Sequence, residues 1–232
     1  MAGRLADKVA IVTGATSGVG RAIAVLFMNE GAKVVFAGRD ESGGSVLEEE
    51  LRTAGGDVLF VRTDVTKTED LQYLVNKTVE RYGRIDVLVI SGGPVVEEVQ
   101  DDSVGIHIVL YREVLPYMIR QQKGSIVNTS AVADIASEMA SPTVGKGAVK
   151  AFTQALAAEY ADQGIRINCI IPGHAISCAT EAGSEEKSIR GVPMGRPARP
   201  EEIAWGYVFY ASDESSFCTG STLIIDGGAS AV

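Results

Sequence analysis

The stretch Thr13-Gly14-Ala15-Thr16-Ser17-Gly18-Val19-Gly20 decides the fold. It lies between an apolar run, Val9-Ala10-Ile11-Val12, and residues at helical spacing, Ala22, Ile23, Val25, Leu26 and Phe27. Glycines at 14, 18 and 20 remove the Cβ atoms that would hold a pyrophosphate away from the backbone. A helix opening near Val19 turns free N–H groups and its positive dipole end toward an anion. Gly14, Thr16, Ser17, Gly18, Val19 and Gly20 are therefore candidate contacts for a dinucleotide. A tight turn without ligand can carry the same glycines, but a strand before it and a helix after it favour binding. Three residues separate the first two glycines and one separates the last two, unlike the plain G-x-G-x-x-G pattern.

Outward from this turn, short apolar runs at 9–12, 33–37, 58–61, 87–90, 125–128, 166–171 and 223–225 alternate with helical patterns. The helices are expected around 19–30, 43–54, 69–82, 107–121, 146–162 and 200–211. Such a βαβ rhythm predicts an α/β Rossmann fold: a doubly wound, seven-stranded parallel sheet with helices on both faces. Right-handed crossovers would place a cofactor at the carboxyl ends of the strands. No repeat, low-complexity tract or linker divides the chain, so residues 1–232 are expected to form one domain. The Gly/Ser/Glu-rich stretch 177–188 reads as a solvated loop or as a mobile lid over the substrate.

Composition narrows the partners. A net charge of -9 and a pI near 4.8 argue against nucleic acid, which demands clustered Lys and Arg. No run of about 18 apolar residues suggests a membrane span, and Arg4, Asp7 and Lys8 interrupt any secretory h-region. Cys169, Cys178 and Cys218 form an odd set without metal-type spacing, which suits reduced thiols in a cytoplasmic compartment. His107 and His174 are too few for a His-rich metal site and read as surface or core residues; no metal site is expected.

The TGxxxGxG turn resembles that of the short-chain dehydrogenase/reductase family, in particular members similar to 3-oxoacyl-ACP reductases. Further motifs extend the resemblance over nearly the whole chain. Thr63-Asp64-Val65-Thr66 resembles the family's Asp-Val pair, implying that Asp64 and the next backbone N–H hold the adenine; an N-cap for the helix from about 69 is compatible with that role. Arg166-Ile167-Asn168-Cys169-Ile170-Ile171-Pro172-Gly173 resembles the strand end whose Pro172-Gly173 turn passes beside the nicotinamide. Gly195-Arg196, Pro200-Glu201-Glu202-Ile203-Ala204 and Asp226-Gly227-Gly228 match the C-terminal pattern, and Ser91-Gly92 stands where backbone must approach the cofactor. At the second strand's end, Gly38 occupies the place of the acid that binds ribose hydroxyls, and Arg39 follows it. An Arg there accommodates a 2′-phosphate, so NADP(H) is favoured and NAD(H) remains possible. Asp40 turning inward, or Arg39 facing solvent, would weaken that preference.

The resemblance implies hydride exchange between nicotinamide and a ketone or secondary alcohol, with a homo-oligomer, dimer or tetramer, as the usual assembly. In this family a Tyr is the general acid/base, a Lys four residues later lowers its pKa from about 10, and a Ser bonds the substrate oxygen. Lys146, followed by Gly147-Ala148-Val149-Lys150, matches the Lys, but Pro142 stands in place of the Tyr. In Asn128-Thr129-Ser130-Ala131 the usual catalytic Ser position holds Ala131, leaving Ser130 beside it as the candidate. The family's Asn early in the helix before Leu115-Pro116 is replaced by Asp102 or Ser103, and the chain is compressed after Gly93, near Pro142 and after Gly173. Two explanations are open. In the favoured one, the 232 residues join segments of a longer chain whose loops carry the Tyr; in the other, the protein is a catalytically inactive dinucleotide-binding subunit. Cα spacings of about 3.8 Å across 93–106, 140–147 and 176–190 would count against the first. Trp205, Tyr207, Val208, Phe209 and Tyr210 would form either an interface or a core helix.

Overall fold

Apolar, mostly β-branched residues fill β1 (Val9–Val12) and β4 (Val87–Ile90), and all eight are buried. Strands covered on both faces are the mark of a parallel sheet. The computed structural model describes the backbone of residues 3–91, 103–130, 140–175 and 191–231, with side chains left undescribed at 103–104 and 140–147. Around β1 and β4 lie β2 (Lys33–Gly38), β3 (Val58–Arg62), β5 (Gly124–Thr129), β6 (Ile165–Pro172) and β7 (Thr222–Ile225). All pairings are parallel, in the order β3-β2-β1-β4-β5-β6-β7.

Side chains alternate across this sheet with period two and so divide the core. Ala10, Val12, Val34, Phe36, Val87 and Val89 face one side, packed with Phe27, Leu47 and Tyr207 from α1 (Gly18–Asn29), α2 (Glu41–Thr53) and α6 (Pro200–Ala211). Ile11, Val35, Leu88, Ile90 and Ile126 face the other, against Leu74, Leu110 and Ala157 from α3 (Thr68–Tyr82), α4 (Ser103–Gln121) and α5 (Ala140–Tyr160). The sheet is thus wound on both faces, as its sequence rhythm predicts.

Helix boundaries follow local chemistry. The Asp40 carboxylate accepts the Gly43 N–H at 3.1 Å and caps α2, and Gly83, with φ of 72°, ends α3 in the left-handed conformation. Two starts differ from expectation by four residues or more: α4 begins at Ser103 rather than 107, and α5 at Ala140 rather than 146. Pro142 does not exclude helix because a first-turn N–H has no intrahelical acceptor to lose. The backbone over 140–147 is accordingly helix; most of 93–106 and all of 176–190, with the expected loop or lid at 177–188, lie outside the described residues. The apolar segment of α6 is a core helix: Tyr207 and Val208 are fully buried and Tyr210 nearly so, while Trp205 is 43% exposed. His107 is buried and His174 exposed, one core and one surface residue. Among the described residues no helix is long and apolar enough to cross a membrane.

The edge strand β7 is tied in by Asn168, fully buried on β6. Its Nδ2 donates to Cys218 O at 2.8 Å, and its Oδ1 accepts from Ser221 N at 3.1 Å and Ser221 Oγ at 2.8 Å. Asn168→Ala would strip partners from all three, so it is expected to cost about 2–4 kcal/mol. Urea unfolding would show this as a lower midpoint at unchanged slope.

Candidate cofactor and active site

The sheet order reverses between β1 and β4, and there the ends of the two strands are clasped through one hydroxyl. Thr13 Oγ1 accepts the Ser91 N–H at 3.1 Å and donates to Ser91 O at 3.1 Å. Both residues are buried. This is the switch point at which open α/β sheets bind ligands.

From it the chain enters the glycine turn. Gly14 and Gly18 have φ of 64° and 53°, which a side chain would resist. Gly20 permits a closer approach still: a Cβ there would lie 2.1 Å from Gly14 O. Ser17, the N-cap of α1, is extended and makes no side-chain capping bond, and the first turn holds no acidic residue. The leading N–H groups of α1 are thus left for an anion, at the positive end of the helix dipole.

Next to this turn a cleft of about 330 Å³ is lined by three strand ends: Gly14, Thr16 and Ser17 after β1, Gly38 closing β2 with Arg39 and Asp40 after it, and Thr63, Asp64, Val65 and Thr66 after β3. Gly38 is forced by its neighbour, since a Cβ on it would sit 2.5 Å from Thr16 Cγ2 and 2.7 Å from Thr16 Oγ1. Arg39 is exposed at the rim, and Asp40 is occupied as the α2 cap. Asp64 does not cap α3, whose N-cap is Lys67. It accepts Thr66 N–H at 3.1 Å and Thr66 Oγ1 at 2.8 Å, and those bonds, chiefly the hydroxyl's, hold its carboxyl below the usual range. Its own N–H donates to Asp70 Oδ2 at 2.8 Å, which fixes the turn. These residues fit an adenosine phosphate: a glycine-lined cradle, an open helix N-terminus and a cleft flanked by Arg39 and Asp64.

The remaining candidates spread along the same edge. Gly18, Val19 and Gly20 open α1 behind the cleft, Ser91 ends β4, and Ser130, buried just past β5, donates its N–H to Ile170 O at 2.9 Å. Pro172 closes β6, and Gly173 packs so tightly on the Asp226 backbone that a Cβ would come within 2.6 Å of its Cα. Arg196 fixes the C-terminal motif by pairing with Glu202 at 2.7 and 2.8 Å. Gly92 and the Lys146 side chain lie outside the described residues; the Lys146 backbone is in α5.

Two tyrosines lie beside β5. Asn128 Nδ2 donates to Tyr111 OH at 2.8 Å and to Thr153 Oγ1 at 2.7 Å, and Thr129 Oγ1 lies 2.7 Å from Tyr207 OH. Burial drives both phenol pKa values up, so neither serves as a base at neutral pH. These contacts join residues far apart in sequence. The Asp64–Thr66 turn had a local signal, an acid two residues before a backbone donor; the Gly38–Thr16 contact had none.

A family model described as enoyl-(acyl carrier protein) reductase matches residues 14–230. The chain belongs to the short-chain dehydrogenase/reductase family. It is an NAD(P)-dependent oxidoreductase of the ketone and alcohol class, which favours the enzyme reading over a subunit that only binds dinucleotide. It is 39% identical over 248 residues to the A-factor type gamma-butyrolactone 1'-reductase (1S-forming) of Streptomyces virginiae, covering 97% of this chain and 96% of that one. It is 36% identical over 242 residues to the 3-oxoacyl-[acyl-carrier-protein] reductase FabG of Thermotoga maritima, covering 97% and 98%. A crystal structure of a short-chain type dehydrogenase/reductase from Mycobacterium marinum superposes with a TM-score of 0.89 at 29% identity, covering 98% and 97%. Both sequence alignments are longer than the 232 residues of this chain, so the two relatives carry residues within the matched span that it lacks.

Gly20→Ala should push α1 off β1 and weaken binding of NADPH and NADH alike by about 10-fold or more, the cost of a Cβ inside contact distance at a phosphate turn. Fluorescence titration of both coenzymes measures it.

Proposed function

We propose that this protein is an NADP(H)-preferring reductase, reducing the ketone of a small-molecule substrate and oxidising the corresponding secondary alcohol in reverse. The preference is carried by the contact between Gly38 and Thr16. It crowds any side chain at residue 38 unless Thr16 shifts, and with Asp40 capping α2, Arg39 is the charge left to meet a 2′-phosphate. NAD(H) would lack that phosphate contact and bind more weakly.

Bound nicotinamide supplies or takes up the hydride. The chain's part is binding, orientation and the proton. Gly14 to Gly20 seat the pyrophosphate, Asp64 and Val65 the adenine, and Ser91, Gly92, Pro172 and Gly173 the nicotinamide half. Ser130 orients the substrate oxygen. Lys146 orients the nicotinamide ribose, and its positive charge lowers the pKa of a water that would give its proton to the substrate oxygen as hydride reaches the carbonyl carbon, the hydroxide left being protonated from solvent. With Pro142 in the tyrosine's position, Lys146 and Ser130 are the catalytic assignments that the family motif leaves to this chain. The reductive direction is supported by the names of both relatives, each a reductase. We further propose that residues 1–232 act as one dinucleotide-binding domain in a cytoplasmic homo-oligomer, a dimer or tetramer, with no nucleic-acid or membrane partner.

Arg39→Ala should weaken NADPH by about 10-fold and leave NADH within about 2-fold, since a charge-assisted phosphate contact is worth about 1.5–3 kcal/mol. Equal losses for both coenzymes would refute the preference. Lys146→Ala should lower kcat by about 100-fold or more in a carbonyl-reduction assay while NADPH binding and circular dichroism persist. Undiminished turnover would remove Lys146 from the mechanism.

A further inference from the structure

The carboxyl edge of the sheet takes the dinucleotide, but a cleft of about 780 Å³ opens at the opposite edge, where β1, β4, β5 and β6 begin. Its walls include Lys8, Lys123 and Arg166, with Asp86 and Asp213 as the acids, and Phe217 stands at its rim. In a chain of net charge -9 this concentration of cations is out of character. Asp86 does not offset it, because its carboxylate is held by Arg84 at 2.6 Å and by the Val9 N–H at 2.9 Å. One carboxylate, Asp213, bridges Lys8 at 2.6 Å and Lys123 at 3.2 Å.

Arg166 has no carboxylate within 4 Å among the described residues. Its half-buried guanidinium donates to Ser215 Oγ at 2.8 Å, Tyr210 O at 3.0 Å and Ser212 O at 3.1 Å, all neutral oxygens. Those bonds fix the cation in place without neutralising it. Phe217 is wholly exposed, so its ring packs on nothing among the described residues. Rigid positive charge beside a bare aromatic face in a cavity of ligand size matches one kind of small molecule.

We propose that this cleft is a second ligand site, for a small molecule bearing an anionic group and a planar ring, of the nucleoside monophosphate type. The anion lies against Lys123 and Lys8 in the field of Arg166, displacing Asp213, and the ring stacks on Phe217. The site does not depend on the coenzyme reading, since no residue is shared with the dinucleotide cleft.

AMP serves as probe and inorganic phosphate as comparator, followed by amide chemical shifts. Gly124 and Gly164 report this cleft, and Gly14 and Gly18 the dinucleotide edge, so one titration separates the two sites. Saturable shifts are expected at Gly124 and Gly164 with their own midpoint. Phe217→Ala should weaken AMP there by about 5-fold or more, the scale of stacking on an aromatic side chain, and leave phosphate unchanged. Lys123→Ala should weaken both ligands by about 2- to 5-fold, and Asp213→Asn, which frees both lysines, should tighten both by a similar factor. The proposal is overturned if AMP moves only Gly14 and Gly18, if Phe217→Ala and Lys123→Ala leave the Gly124 and Gly164 midpoint in place, or if Asp213→Asn weakens binding.

Discussion

The approach of α1 to β1 is the constraint on which the dinucleotide edge depends. Gly20 lies against the Gly14 carbonyl with no room for a Cβ, and that contact sets the angle at which α1 leaves the sheet. With α1 seated there, its leading N–H groups meet the switch point held by Thr13 and Ser91, and Thr16 comes to rest over Gly38. Shifting the helix by the width of a methyl group would move the anion site, the cleft wall and one half of the core together. Interiors at native packing density transmit such displacement rather than absorb it.

Much of this was legible in the sequence because the relevant physics is local. β1 and β4 span the residues that their apolar runs mark, and the other strands differ by a residue or two at their ends. Seven of the cofactor candidates, Gly14, Thr16, Ser17, Gly38, Arg39, Asp64 and Val65, share one cleft because each lies at or just past the carboxyl end of a parallel strand. The starts of α4 and α5 were missed where apolar periodicity is weak and where Pro142 suggests a break. The reason for Gly38 was illegible, since it depends on Thr16, a residue brought close by folding. The same holds for the cleft at the far edge, assembled from segments around residues 8, 86, 123, 166 and 213 that share no pattern.

Pro142 in place of the tyrosine separates two properties that the family usually shows together. The glycine-lined cleft and the uncapped start of α1, which fit a dinucleotide, are built from backbone geometry and small residues. The proton chemistry rests on a few side chains near β5 and α5, and there Ala131 and Pro142 depart from the pattern while Lys146 keeps it. Tyr111 and Tyr207 lie beside β5, but burial holds them as neutral phenols bonded to Asn128 and Thr129, and their part is to pack the core.

The contact between Thr16 and Gly38 also bears on how coenzyme choice can change over generations. An acid at residue 38 would turn the site toward NAD(H), yet while Thr16 is present that side chain enters occupied space. Thr16 must turn aside, or a smaller residue must replace it, and neither change alters the charge of the site. Residues 16 and 38 are therefore coupled, since a side chain at 38 is accommodated only when Thr16 moves aside or is made smaller, whichever coenzyme the cleft takes.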